Sequence, residues 1–168
     1  KYKTTVVVHD AIPHYGEESI FLSFMLHRVI SRADKIIALT KYVANTISKT
    51  YKRDLSQIRI IPHGVLNYDL LPSYSKSHLN KKLNIAFFGR IQKYKGLDIL
   101  LDAVFFLKKK GFEFDFSIYG AGLINHDKLR KINNVKLVNR WILDSEVISF
   151  LETVDVIVLP YREASQSG

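Results

Sequence analysis

Thr4 to Val8 is a β-branched run with little polar alternation, the pattern of a strand covered on both faces. It ends in His9-Asp10 and a loop containing Pro13 and Gly16. From Ser19 to about Arg32 apolar residues recur at helical spacing (Ile20, Phe21, Phe24, Met25, Val29). That stripe predicts a core helix, with membrane association as the alternative use of so apolar a face. Lys35–Leu39 reads as a second strand, and Thr40 is placed to cap a helix running to about Tyr51. Arg59-Ile60-Ile61 reads as a third strand, closed by Pro62-His63-Gly64. Strand–helix–strand–helix–strand predicts an α/β unit with a parallel sheet.

Residues 67–80 are rich in Ser, Asn, Pro and Tyr and carry little periodicity, so a linker is expected there. The βα pattern then restarts. Strands are expected at Leu83–Phe88, Phe114–Tyr119, Val135–Val138 and Val154–Leu159, and helices at Gly96–Lys110, Asp127–Ile132 and Ser145–Glu152. Four βα units in so short a stretch predict a doubly wound sheet. The expected organisation is therefore an α/β domain end over residues 1–66, a linker over 67–80 and a second α/β domain over 81–168.

In an open parallel sheet ligands bind outside the carboxyl ends of the strands. In the second half those ends are Gly89-Arg90, Gly120-Ala121-Gly122, Asn139-Arg140-Trp141 and Pro160-Tyr161-Arg162-Glu163. Arg90 is the sharpest candidate: a guanidinium can fork two phosphate oxygens, and Lys95 adds a point charge one loop away. Gly89 and Gly96 flank them, and a glycine permits close backbone approach to a ligand. Gly120 stands in the same class, although Asn125 occupies the position where a dinucleotide fingerprint needs a glycine. A nicotinamide site is thereby disfavoured, and a tight strand-to-helix turn is the plainer reading of Gly120-Ala121-Gly122. Glu163 can hold sugar hydroxyls or can be an ordinary loop carboxylate. Ser165-Gln166-Ser167-Gly168 looks like a helix N-terminus, where amide groups gather anions or a serine simply caps. His9, Asp10 and His14 follow the first strand; His9 can donate to a phosphate or hydroxyl, but the six histidines show no metal-ligand spacing.

Composition narrows the classes. Apolar residues make up 47% of the 168, enough for a packed core. The absence of cysteine removes disulfides, thiolate metal sites and a cysteine nucleophile, and fits a reducing compartment. The net charge of +9 is spread over both halves: 11 Lys/Arg against 6 acids in residues 1–80, and 14 against 10 in the rest. Diffuse basicity suits an anionic ligand, nucleic acid or an anionic membrane face. No apolar run is long enough for a bilayer span. The chain opens directly in a strand without Met and stops where a helix is expected to start, so it reads as a piece of a longer protein.

Three stretches resemble retaining glycosyltransferases of the GT-B fold, the family-4 group with a glycosyl-transferase group 1 domain. FFGRIQKYKGLDILLDA is similar to that family's G-R-x-x-x-x-K-G-x-x-x-L-x-x-A signature. ADKIIALTKYVANTI is similar to the end of its acceptor-side domain, and IRIIPHGV to its I-P-N-G-V segment with His63 in place of Asn. The resemblance implies a Rossmann-like donor domain over 81–168 preceded by the end of a second Rossmann-like domain. It implies that Arg90 and Lys95 hold the donor diphosphate and, with Glu163, act in catalysis. It gives Gly89, Gly120, Arg140, Trp141 and Ile142 to the nucleotide, the NRWI loop meeting the nucleoside largely through backbone. LPYREASQSG is similar to the donor-sugar loop but departs from the usual Glu-x-x-Gly, leaving the sugar-holding role open between Glu163 and Gln166; Ser167 and Gly168 would offer amides.

The implied reaction is transfer of a sugar, from a UDP-sugar in the leading reading, to a glycan or polyprenyl-diphosphate-linked acceptor with retained anomeric configuration. Bacterial surface-polysaccharide assembly, such as lipopolysaccharide O-antigen, is the expected setting. The expected location is cytoplasmic, with peripheral association at the inner membrane face. No Asp-x-Asp occurs, so no metal cofactor is expected. A starch-, glycogen- or sucrose-type enzyme using another nucleotide sugar is the near alternative. A non-catalytic phosphate- or nucleic-acid-binding module is the distant one. Nucleic acid is not an expected partner, because the aromatics fall inside strands and helices rather than among exposed basic residues.

Overall fold

The computed structural model describes residues 3–64 and 82–163. These form two compact units, one comprising residues 3–64 with Glu163, the other residues 82–162. The expected linker at 67–80 lies outside the described residues, as do Gln166, Ser167 and Gly168.

The first unit is a three-stranded parallel sheet in the order β1 (Thr5–Val8), β2 (Lys35–Ala38), β3 (Ile58–Ile60). Helix α1 (Ile20–Arg32) links β1 to β2, and α2 (Lys41–Tyr51) leads to β3. Both helices start where the sequence places a hydroxyl cap: Ser19 Oγ accepts the Leu22 amide and Thr40 Oγ1 the Val43 amide. The core joins Ile36 and Ala38 of β2 to Ile30 of α1 and to Val43, Ala44 and Ile47 of α2.

α1 departs from the core expectation. Ile30 alone is fully buried on it, while Ile20 is 92% and Phe21 73% exposed. α1 lies beside β1, and no other described strand pairs with the outer side of β1. An apolar cavity of about 420 Å³ opens there, walled by Val6, Val8, Leu22, Met25, Leu26 and Val29, with His9, Asp10 and His14 also on its lining.

The second unit holds a four-stranded parallel sheet in the order β6-β5-β4-β7. The strands are β4 (Asn84–Phe88), β5 (Asp115–Tyr119), β6 (Val135–Val138) and β7 (Val156–Ile157). Helices α3 (Leu97–Lys109), α4 (His126–Leu129) and α5 (Asp144–Thr153) connect them in turn. The chain steps outward from β4 to β6 and then returns across the sheet to place β7 on the other side of β4. Strand order therefore reverses at β4, and the carboxyl end of β4 is the crevice such a sheet offers to a ligand.

The run Ile85-Ala86-Phe87-Phe88 is apolar throughout because both sheet faces are covered. Ile85 and Phe87 pack in the layer of α3 with Leu100, Leu101 and Val104. Ala86 and Phe88 pack in the layer of α5 with Phe150 and Val154. Phe150 stacks on Phe88 at 5.2 Å and meets Tyr119 at 4.3 Å between ring centroids, which seats α5. β7 is shorter than expected from the apolar run 154–159: Val154 closes α5, and Pro160 has no amide to extend the ladder.

Glycines set how closely the loops after β4 and β5 approach. A Cβ on Gly120 (φ +144°) would stand 1.8 Å from the Gly89 carbonyl oxygen, and one on Gly122 2.3 Å from that of Ile91. That close approach lets the Ile91 amide reach the Ala121 carbonyl at 2.8 Å. Gly120→Ala is expected to destabilise the second unit by about 2–4 kcal/mol, combining backbone strain with a clash. Gly111→Ala, at positive φ but in open space, should cost only about 1 kcal/mol. Denaturant unfolding followed by Trp141 emission compares the two; equal losses would remove the packing argument.

Candidate functional site

Above the carboxyl end of β4 lies a cavity of about 260 Å³, lined by Phe88, Gly89, Arg90, Gly120, Ala121, Arg140, Trp141, Ile142, Asp144 and Val147. Six of the residues singled out from the sequence thus meet in one place: Gly89, Arg90, Gly120, Arg140, Trp141 and Ile142. Their elements explain why. The loops after β4, β5 and β6 must all emerge at one edge of a parallel sheet, and α5 begins beside them.

The two glycines differ in function. Gly120 is required by the carbonyl beneath it. Gly89 (φ +131°) has no atom within 4 Å of where a Cβ would stand, so its freedom leaves open space on the cavity wall.

Arg140 does not present a free guanidinium. Its Nη1 and Nη2 donate to Glu146 Oε2 and Oε1 at 2.8 and 2.6 Å, and Nη1 also donates to the Trp141 carbonyl at 3.0 Å. Glu146 in turn accepts the Leu143 amide at 2.9 Å. This ties residues 140–143 to the first turn of α5 and leaves the Trp141 ring 68% exposed beside the cavity. The arrangement suits a loop that offers backbone and an indole face rather than a cation. The hydrogen bonds from Arg140, reinforced by the Leu143 amide, pull the Glu146 carboxyl down to about 2, and Glu146 raises the Arg140 guanidinium correspondingly.

Lys95 ends a single 3₁₀ turn, Lys93–Lys95, that the sequence reading leaves as loop. Its ammonium donates to Tyr161 Oη at 2.7 Å. The segment after β7 is pinned beside it: a Cβ on Gly96 would stand 2.0 Å from the Pro160 carbonyl oxygen, and the Arg162 amide donates to the Tyr94 carbonyl at 2.8 Å. Arg162 also pairs with Asp98 at 2.6 Å. Glu163 is exposed and belongs to the first unit, where its Oε2 accepts the Tyr15 amide at 3.1 Å. Tyr94, Glu146, Asp98 and Asp144 carry no signal in the sequence beyond their neighbours. For Tyr94 the available clue is its place inside the Arg90–Lys95 interval.

Comparison with known proteins places the chain in a family. The family described as glycosyl transferases group 1 matches residues 82–168, just over half of the chain. The chain belongs to the glycosyl transferases group 1 family. Among curated relatives of this group 1 chain is an uncharacterized glycosyltransferase of Methanocaldococcus jannaschii, 28% identical over 167 residues, covering 90% of this chain and 43% of the relative. A D-inositol 3-phosphate glycosyltransferase of Pseudarthrobacter chlorophenolicus is 26% identical over 151 residues, covering 80% and 36%. The chain thus spans less than half the length of the curated relatives it matches.

Among solved structures, a mutant TarM of S. aureus in complex with fondaparinux, α-GlcNAc-glycerol and UDP superposes with a TM-score of 0.72 at 17% identity, covering 98% of this chain and 33% of that one. WaaG, a glycosyltransferase involved in lipopolysaccharide biosynthesis, gives 0.68 at 14% identity, covering 96% and 54%. At these identities the likeness is one of fold, and it bears out the GT-B type α/β fold expected from the sequence.

The depressed carboxyl of Glu146 makes the group 1 loop acid-sensitive. Its folded value of about 2 lies below the ordinary 4.5, so its contribution is complete above about 4.5 and is lost as the pH falls towards 2. Trp141 is the single tryptophan and reports the loop directly. Its emission is expected to shift between about pH 5 and about pH 2. Glu146→Gln should show the acid-type emission already at neutral pH; an unchanged acid profile in that variant would contradict the assignment.

Proposed function

We propose that the second unit binds a nucleotide-sugar donor and that the whole protein transfers the sugar to a glycan or lipid-linked acceptor with retention of anomeric configuration. The observation that carries this reading is the cavity at the strand-order reversal, with Arg90 on its wall and Lys95 in the adjoining turn. Arg90 and Lys95 are assigned the diphosphate and residues 140–142 the nucleoside.

The reading places charge stabilisation at the centre of catalysis. As the bond between the anomeric carbon and the diphosphate oxygen breaks, negative charge grows on the departing diphosphate. Fixed cations at that oxygen lower the barrier because they need no reorganisation. Loss of one such donor typically costs about 10²–10³ in rate. The two side-chain cations take the place of a metal ion in this scheme.

UDP is the proposed nucleotide, supported by its presence in the TarM complex. Assembly of a surface polysaccharide is the proposed setting, supported by the part WaaG takes in lipopolysaccharide biosynthesis. No described helix is long and apolar enough to cross a membrane. The basic chain and the apolar face of α1 support peripheral association with a membrane carrying the acceptor.

Calorimetric titration with UDP, GDP and ADP, first without metal and then with Mg²⁺, tests the donor assignment. UDP is expected to bind without metal, and Arg90→Ala and Lys95→Ala are each expected to weaken it about tenfold or more. Nucleotide affinity left intact in both variants would remove the diphosphate from this edge.

A further inference from the structure

Among the described cations at the carboxyl edge of the second sheet, Arg90, Lys95, Arg140 and Arg162 are held in two ways. Arg140 and Arg162 are each paired with a carboxylate, Glu146 and Asp98. Arg90 and Lys95 form no ion pair with a described carboxylate. Two tyrosines hold them instead.

Lys95 Nζ donates to Tyr161 Oη at 2.7 Å and lies 3.9 Å from the centroid of that ring and 5.1 Å from the centroid of Tyr94. Arg90 Nη2 donates to Tyr94 Oη at 3.4 Å. The two rings meet edge to face, 6.4 Å apart at 67°. Neither ring is loosely placed. Tyr94 is buried, and Tyr161 sits between Pro160, stacked over Gly96, and Arg162, bonded to Tyr94 and Asp98.

The choice of partner matters electrostatically. A carboxylate would fix a cation and cancel its charge. A phenol accepts a hydrogen bond and presents a negative ring face, yet stays neutral, so it fixes the cation and leaves the charge for an incoming anion. Long side chains ordered in advance also lower the entropic cost of binding.

We propose that Tyr94 and Tyr161 are positioning residues that hold Arg90 and Lys95 as an uncompensated, pre-oriented cation pair, and that this pairing makes the site select nucleoside diphosphates over monophosphates. The inference rests on the donor reading above and adds to it the residues that set the diphosphate contact. Tyr161 acts through Lys95, so its effect belongs to the second phosphate and not to the nucleoside.

The test compares UDP with UMP on the chain, using Trp141 emission and calorimetry. Tyr161→Phe keeps the ring and removes the hydroxyl acceptor. It is expected to weaken UDP about tenfold while changing UMP less than about twofold, with the melting temperature unchanged. Tyr161→Leu should weaken UDP further by removing the ring. In a Lys95→Ala background Tyr161→Phe should have no additional effect, since the residue it serves is gone.

Equal losses for UDP and UMP would mean a merely structural tyrosine and would overturn the proposal. So would full additivity with Lys95→Ala, or no loss in either tyrosine variant. A parent chain that binds UDP no more tightly than UMP would overturn the donor reading itself, and this proposal with it; that result is read before any variant is made.

Discussion

The second unit depends on backbone lying directly against backbone at the carboxyl edge of its sheet. The loop after β4 rests on the loop after β5 through Gly120 and Gly122, and the turn at Gly96 lies beneath the Pro160 carbonyl. No side chain fits between these segments. Because the loops after β5 and β7 both lie against the β4–α3 connection at their main chains, side chains converge: Arg90 and Lys95 from that connection, Tyr161 from the segment after β7. A looser edge would leave these groups on separate mobile loops, and long cations would then lose much of their binding power to ordering.

That contact is possible only because the sheet is covered on both faces. Alternate residues of β4 go to the α3 layer and the α5 layer, which fixes β4 in the middle of the sheet. The reversal of strand order falls there, so the tightest backbone packing and the ligand crevice occupy one place. The Phe88–Phe150–Tyr119 cluster extends this to α5, whose first turn holds the Trp141 loop through the Arg140–Glu146 pair.

Charge at the edge is divided by the same geometry. Cations with an architectural task, Arg140 and Arg162, meet carboxylates of the helix starts. The cations proposed to meet the diphosphate, Arg90 and Lys95, are steadied by neutral phenols. The match to the glycosyl transferases group 1 family spans residues 82–168 and so covers this whole edge. In the first unit α1 leaves Ile20 and Phe21 exposed, which its apolar stripe does not foretell.

By itself the sequence determined the order of strands and helices, the parallel sheets, and the sheet edge at which the candidate residues gather. It could do so because period, caps and β-branched runs are local properties of the chain. It also singled out Arg90, Lys95 and the 140–142 loop as candidates, since a strand end followed by Gly-Arg and Lys-Gly is a local pattern. What it could not express is partnership across tens of residues. Whether Arg140 is free or bound to Glu146, whether Gly120 serves a ligand or a carbonyl, and which group steadies Lys95 are settled by distances that exist only once β4, β5 and β7 lie side by side. Tyr161 is 66 residues from Lys95 in the chain. Only the tertiary structure brings the ring to the ammonium, because a switch in strand order sets the end of β7 beside the start of α3.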